Sequence, residues 1–121
     1  MAQPTAEEKL WLALSQVPRG HVIAYGALAS LAGLPGRARW AGRALSTLPA
    51  DTRLPWHRVI NAGMRISFAP GSPAFERQKQ KLEAEGVTVS GNGRVHAPRF
   101  GADFTSQDFR KATPDDLSVA K

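Results

Sequence analysis

Gly26-Ala27-Leu28-Ala29-Ser30-Leu31-Ala32-Gly33-Leu34-Pro35-Gly36-Arg37-Ala38-Arg39-Trp40-Ala41-Gly42-Arg43 is the stretch on which the fold reading turns. Residues 26–32 are rich in alanine and leucine, which favour a short helix, with Gly33 placed to cap its C-terminus. Leu34-Pro35-Gly36 then forces a tight turn. A further helix is expected from Arg37 to Leu48, stopped by Pro49. Two short helices around a Gly/Pro turn, the second studded with arginine, form a helix-turn-helix pattern. Arg39 and Arg43 are four apart and share a helix face. Ala38, Ala41 and Gly42 are small enough for a backbone or a nucleic acid to approach closely. An ordinary helical hairpin with a basic surface would carry the same pattern.

Working outward, Thr5 and Glu8 form a capping box ahead of Leu10, Trp11, Leu14 and Val17, which recur at helical spacing and are assigned to the core. His21 to Tyr25 is short and extended. Leu54 to Ile60 suits a buried loop or strand, and residues 61–71 a loop. Ser72-Pro73 opens another helix that runs to about Glu85 and closes at Gly86, with Phe75 and Leu82 inward and Arg77, Lys79, Lys81 and Glu83 outward. Residues 87–89 and 94–96 flank Ser90-Gly91-Asn92-Gly93 as a β-hairpin. The fold class is therefore mainly α with a small β-hairpin. One domain is expected over residues 1–100. A tail over 101–121 follows, partly docked by Phe100, Phe104 and Phe109 and frayed from Asp115 to Lys121.

The 121 residues include no cysteine, which excludes disulfides, thiolate chemistry and sulfur-ligated metals. His21, His57 and His96 are scattered without ligand spacing, so neither a metal nor a cofactor is expected. No apolar run reaches the ~18 residues of a membrane span, and the N-terminal residues lack the pattern of a secretory signal, so a cytoplasmic protein is expected. The net charge is +6, and its placement is telling. Arg19, Arg37, Arg39, Arg43, Arg53, Arg58 and Arg65 fall in a stretch that holds one acid, Asp51, and no lysine. A polyanion is the natural partner for such forked cations; a solvated basic face is the plainer alternative.

Pro55-Trp56-His57-Arg58-Val59 resembles the active-site motif of the O6-alkylguanine-DNA alkyltransferases, with tryptophan in the place of the nucleophilic cysteine. The likeness extends over Val17-Pro18-Arg19-Gly20-His21-Val22, Ala24-Tyr25-Gly26, Gly33-Leu34-Pro35, Ala38-Arg39, Gly42-Arg43-Ala44-Leu45 and Glu85-Gly86-Val87. The tryptophan form is similar to the alkyltransferase-like proteins, which bind alkylated guanine without repairing it. The resemblance implies a winged-helix-like helix-turn-helix domain, like the alkyltransferase C-terminal domain, that enters the minor groove and flips the target guanine. It implies that Arg39 fills the vacated stack and that Tyr25 contacts the phosphate of the flipped nucleotide. Apart from the resemblance, Ala38 and Gly42 would by their small size lie against the DNA, and Arg37 and Arg43 are read as phosphate contacts from their charge. Tyr25, Trp56, Val59, Met64, Ser67 and Phe68 would form the lesion pocket, with backbone carbonyls near Trp56 and Val59 facing the guanine edge. His57 and Glu85 match the pair that activates the family's cysteine and are read as a structural remnant.

Physical chemistry supports these roles. A thiolate accepts an alkyl group and an indole does not. Flipping costs a few kcal/mol, and less for a base whose pairing an alkyl group has already weakened. Stacking on an aromatic wall returns about 1–3 kcal/mol. The chain also departs from the family. Leu48 replaces an asparagine of the hinge. Trp40 is bulky where the groove-facing side usually carries a small residue. Phe68 follows Ile66-Ser67 where some relatives place an arginine, so either Met64 and Phe68 make an apolar rim or Arg65 reaches over the alkyl group.

The leading expectation is a monomeric, non-enzymatic sensor of O6-alkylguanine in double-stranded DNA that marks the site for nucleotide excision repair proteins and is associated with the nucleoid when bound. The alternatives are a helix-turn-helix transcriptional regulator and, lower in rank, a hydrolase that uses His57 and Glu85 on a flipped base.

Overall fold

The computed structural model describes residues 3–101; Phe104, Phe109 and residues 115–121, expected above to form a partly docked and frayed tail, lie outside the described residues. Helix α1 (Ala6–Ser15) begins in the expected capping box: the Thr5 side chain accepts from the Glu8 N–H, and Glu8 returns a bond to the Thr5 N–H at 2.8 Å. Strand β1 (Ile23–Ala24) leads directly into α2 (Tyr25–Leu31). Gly33, at φ +83°, closes α2 in a Schellman motif. Its N–H donates to Ser30 O, and the Leu34 N–H reaches back to Ala29 O at 2.8 Å.

Helix α3 (Ala38–Leu45) is shorter at both ends than the expected span from Arg37 to Leu48. At its C-terminal end the hydroxyls of Ser46 and Thr47 each donate to a carbonyl three residues back, Arg43 O and Ala44 O, both at 2.6 Å. These bonds compete with the helical ladder, so the helix stops four residues ahead of Pro49. A 3-10 turn (Trp56–Arg58) feeds β2 (Val59–Ile60). Helix α4 (Pro73–Glu83) starts on a Ser72 cap with proline at its first position. Strands β3 (Thr88–Val89) and β4 (Val95–His96) pair antiparallel as the expected hairpin. Residues 64–66, read from sequence as loop, add to its free edge: the Ile66 N–H donates to Gly93 O and the Val95 N–H to Met64 O.

The main unforeseen feature is a parallel ladder between β1 and β2, with Ile23 opposite Val59 and Ala24 opposite Ile60. On its other side, Val22 pairs parallel with Arg99, so residues 98–100 are docked through backbone bonds. Side chains alternate across a strand, and here the alternation divides two cores. Ile23 and Val59 face the core built by Leu10, Leu14, Leu28 and Ala41. Val22 and Ile60 face the core built by Phe75, Leu82, Val87 and Val95. The first core holds the helix-turn-helix, and the second holds α4 and the hairpin. Trp11 and Phe100 pack against the first core and stay partly exposed.

Candidate nucleic-acid interface

The helix-turn-helix brings the basic residues together. Arg37, Arg39 and Arg43 are exposed at the start and along the outer face of α3, and Ala38 and Gly42 are partly covered between them. Ala41 turns inward and is fully buried, so it belongs to the core and not to the approach surface. Gly36, Arg37, Ala38, Arg39, Trp40 and Arg43 line an open depression of about 550 Å³. Trp40, the bulky residue of this helix, lines that depression and is held on its other sides. It packs partly against the first core, and the Arg37 guanidinium carbon stands 5.2 Å from its ring centroid, a cation–π stack. The Tyr25 ring lies across α3, where a Cβ built on Gly42 would sit 3.8 Å from its Cδ1 and Cε1. Tyr25 and Gly42 are therefore neighbours, although 17 positions separate them in the chain.

The 3-10 turn carries the second group of residues. Trp56 is half-buried, packed edge-on to His57 with ring centroids 6.1 Å apart and planes at 88°. The Val59 side chain is buried in the first core, its N–H donates to Trp56 O, and its carbonyl closes the turn. That carbonyl already accepts from Gln78 Nε2 at 2.9 Å, and the same amide donates to His57 O at 3.0 Å. Gln78 is 2% exposed. Both acceptors are carbonyl oxygens, so the group facing them must be the amide nitrogen, which fixes its orientation. Sequence reasoning did not single out Gln78. Its position, three after Phe75 and four before Leu82 on the buried stripe of α4, was the available signal.

In the turn after β2, Met64 is half-buried and holds φ +62°, a left-handed conformation that costs a side-chain-bearing residue about 1 kcal/mol or more. Asn61 Oδ1 holds this turn by accepting from the N–H groups of Gly63 and Arg65. Ser67 and Phe68 are exposed, Phe68 at 41%.

His57 and Glu85 meet as the resemblance implied. His57 Nε2 lies 2.7 Å from Glu85 Oε2. Arg58, counted from sequence among the cations that could face a polyanion, is instead turned inward. It donates from Nη2 to Glu85 Oε2 at 2.7 Å, from Nε to Oε1 at 3.0 Å, and from Nη1 to Val17 O at 2.7 Å. Gly20, at φ +81°, turns its N–H onto Glu85 Oε1 at 3.1 Å, a backbone conformation that favours glycine. Arg19 also serves the scaffold, donating to Ala84 O at 2.9 Å. One carboxylate thus ties together the end of α1, the approach to β1, the 3-10 turn and the end of α4.

Burial pushes the Glu85 carboxyl up, but bonds from Arg58, His57 and the Gly20 N–H outweigh it and hold the pKa at about 2. Burial pulls His57 below its ordinary 6.5, against the raising effect of Glu85. Neutral His57 then donates from Nε2 to the carboxylate and keeps Nδ1 as a free acceptor, a tautomer assigned from its partner. Both groups lose protons more readily folded than unfolded, so acid favours the unfolded chain. Stability should be full above pH 6.5, fall as His57 takes a proton in the unfolded state, and fall again as pH drops from 4.5 toward about 2 through Glu85. Denaturant midpoints measured from pH 8 to pH 3 test this, and a flat profile between pH 7 and pH 5 contradicts the His57 assignment.

Four likenesses to known proteins bear on this geometry. A family model described as 6-O-methylguanine DNA methyltransferase, DNA binding domain, matches residues 5–87. The chain is 46% identical over 92 residues to a DNA base-flipping protein of Vibrio parahaemolyticus, covering 76% of this chain and 90% of that protein. It is 42% identical over 96 residues to alkyltransferase-like protein 1 of Schizosaccharomyces pombe, covering 76% and 89%. The crystal structure of S. pombe Atl1 in complex with damaged DNA containing O6-carboxymethylguanine superposes with a TM-score of 0.66 at 33% identity, over 87% of this chain and 97% of that one.

Proposed function

The chain belongs to the family of the 6-O-methylguanine DNA methyltransferase DNA-binding domain, and from that premise we propose that it is a non-enzymatic sensor of O6-alkylguanine in duplex DNA. The observation that carries the reading is Trp56, a partly buried indole in the position of the alkyl-accepting cysteine, in a sequence without cysteine. The His57–Glu85 pair beside it has no thiol to activate. It serves instead to hold the 3-10 turn in place.

In this reading α3 enters the minor groove, Arg39 fills the gap left by the extruded base, and Tyr25 bears on the phosphate of the flipped nucleotide. Arg37 and Arg43 contact neighbouring phosphates. Trp56, the Val59 backbone, Met64, Ser67 and Phe68 receive the base. Residues 1–100 act as one monomeric DNA-binding domain, associated with the nucleoid in the cytoplasm. The bound, distorted site is then handed to nucleotide excision repair. The incomplete burial of Trp56 supports this role, since an indole sealed in the core would leave a purine nothing to stack on.

The test is a titration of matched duplexes carrying guanine or O6-methylguanine, followed by recovery and analysis of the DNA. The sensor binds the modified duplex at least tenfold more tightly and returns it chemically unchanged. Equal affinity for both duplexes supports a sequence-reading regulator, and loss of the methyl group supports an enzyme using His57 and Glu85.

A further inference from the structure

Arg65 and Arg94 stand directly opposite each other across the antiparallel bridge that joins the rim turn to the hairpin. The flanking bonds, Ile66 N–H to Gly93 O at 2.9 Å and Val95 N–H to Met64 O at 2.8 Å, define a non-hydrogen-bonded pair. In that arrangement the Cα atoms approach to about 4.5 Å and the side chains are at their closest. Directly opposed residues project from the same face of a sheet. Both arginines are exposed. Among the described residues every ion pair is made by Glu85, so neither of these guanidinium groups meets a carboxylate there.

Like charges placed directly opposite weaken a strand pair. Nothing in the local backbone requires them: Asn61 holds the turn through its own amide oxygen, and Asn92 Oδ1 accepts the Arg94 N–H, both independent of either guanidinium. Two planar forks side by side form a site for a doubly coordinated anion, and a phosphodiester fits them. Arg65 directly follows Met64 and precedes Ser67 and Phe68, so the pair flanks the residues assigned to the pocket rim.

We propose that Arg65 and Arg94 form a second phosphate clamp, separate from α3, that grips the DNA backbone from the hairpin side. The clamp rests on the DNA-binding reading above but not on lesion preference. It adds lesion-independent affinity and relieves the repulsion that the free protein carries.

The experiment uses the full chain and the same two duplexes. Arg94→Gln is expected to lower affinity for both by a similar factor, roughly three- to tenfold at low salt, and to flatten the plot of log K against log salt by about 1. Its melting temperature, without DNA, should equal or exceed that of the wild type, because repulsion is lost. Arg65→Gln should behave alike and guards against an effect peculiar to one variant. Arg77→Gln, which removes an exposed cation of α4, serves as the control for total charge and should leave the salt slope unchanged.

Unchanged affinity and slope in both clamp variants overturn the proposal. So does an equal loss in the α4 control, which makes the effect one of net charge. A loss confined to the O6-methylguanine duplex also overturns it, since the pair then belongs to the lesion pocket. Wild-type protein that binds both duplexes equally defeats the sensor reading while leaving the clamp measurable on unmodified DNA.

Discussion

Glu85→Ala should cost about 3–5 kcal/mol of folding stability, the usual range when one partner of a buried ion pair is removed. The carboxylate is 6% exposed and takes bonds from His57, Arg58 and the Gly20 N–H. Its removal leaves Arg58 with Val17 O as its remaining partner, a charged guanidinium at 16% exposure, and leaves a part-buried N–H at Gly20 unpaired. Against a total of roughly 5–15 kcal/mol for a domain, that loss brings the chain near unfolding. The denaturant midpoint measures it. A loss below about 1 kcal/mol would mean that water screens the cluster as it does a surface pair. The acid-induced loss between pH 4.5 and about 2 should also vanish in this variant, because the group that titrates there is gone.

The second large effect falls on binding and spares the fold. Arg39 is exposed on α3, so Arg39→Ala should change stability by no more than about 0.5 kcal/mol. If the side chain fills the vacated base stack, its loss removes an interaction worth about 1–3 kcal/mol. Affinity for an O6-methylguanine duplex should then fall roughly 5- to 150-fold. Fluorescence of a base analogue at the target position separates flipping from docking. Arg39→Ala that still flips the analogue fully would remove Arg39 from this role, and the depression at the start of α3 would then act through Arg37 and Arg43 alone. The unmodified duplex should lose less, because phosphate contacts by those two arginines survive.

Much of this was legible in the chain because the signals were local. Thr5 with Glu8, Ser72 with Pro73, and Gly33 after an alanine-rich run each mark a helix end by chemistry within four residues. The motif Pro55 to Val59 stands out by its residues, although its 3-10 turn does not, since residues 54–60 suit a buried loop or strand equally well. What escaped was non-local or too short for periodicity. Strands of two residues, separated by two helices, leave no alternation to read, so the β1–β2 ladder was invisible. Arg58 looked like one cation among seven until its partners at Val17 and Glu85 were placed beside it. The overlong reading of α3 arose because Ser46 and Thr47 were not weighed as competitors for its last carbonyls. Arg94 drew no notice, since only the strand register sets it against Arg65.

The thin parallel ladder at the centre has a consequence for how this molecule can change over time. Val22, Ile23, Val59 and Ile60 are shared property: each strand lends one side chain to the helix-turn-helix and its neighbour to the α4 hairpin half. Neither half owns a complete interior, so neither would survive as a transplanted module. A fragment ending near residue 61 would expose Val22 and Ile60 to water and lack Glu85, the knot that closes its own turn. The two halves are thus inherited together, and evolution can retune either one only by substitutions that leave this common wall standing.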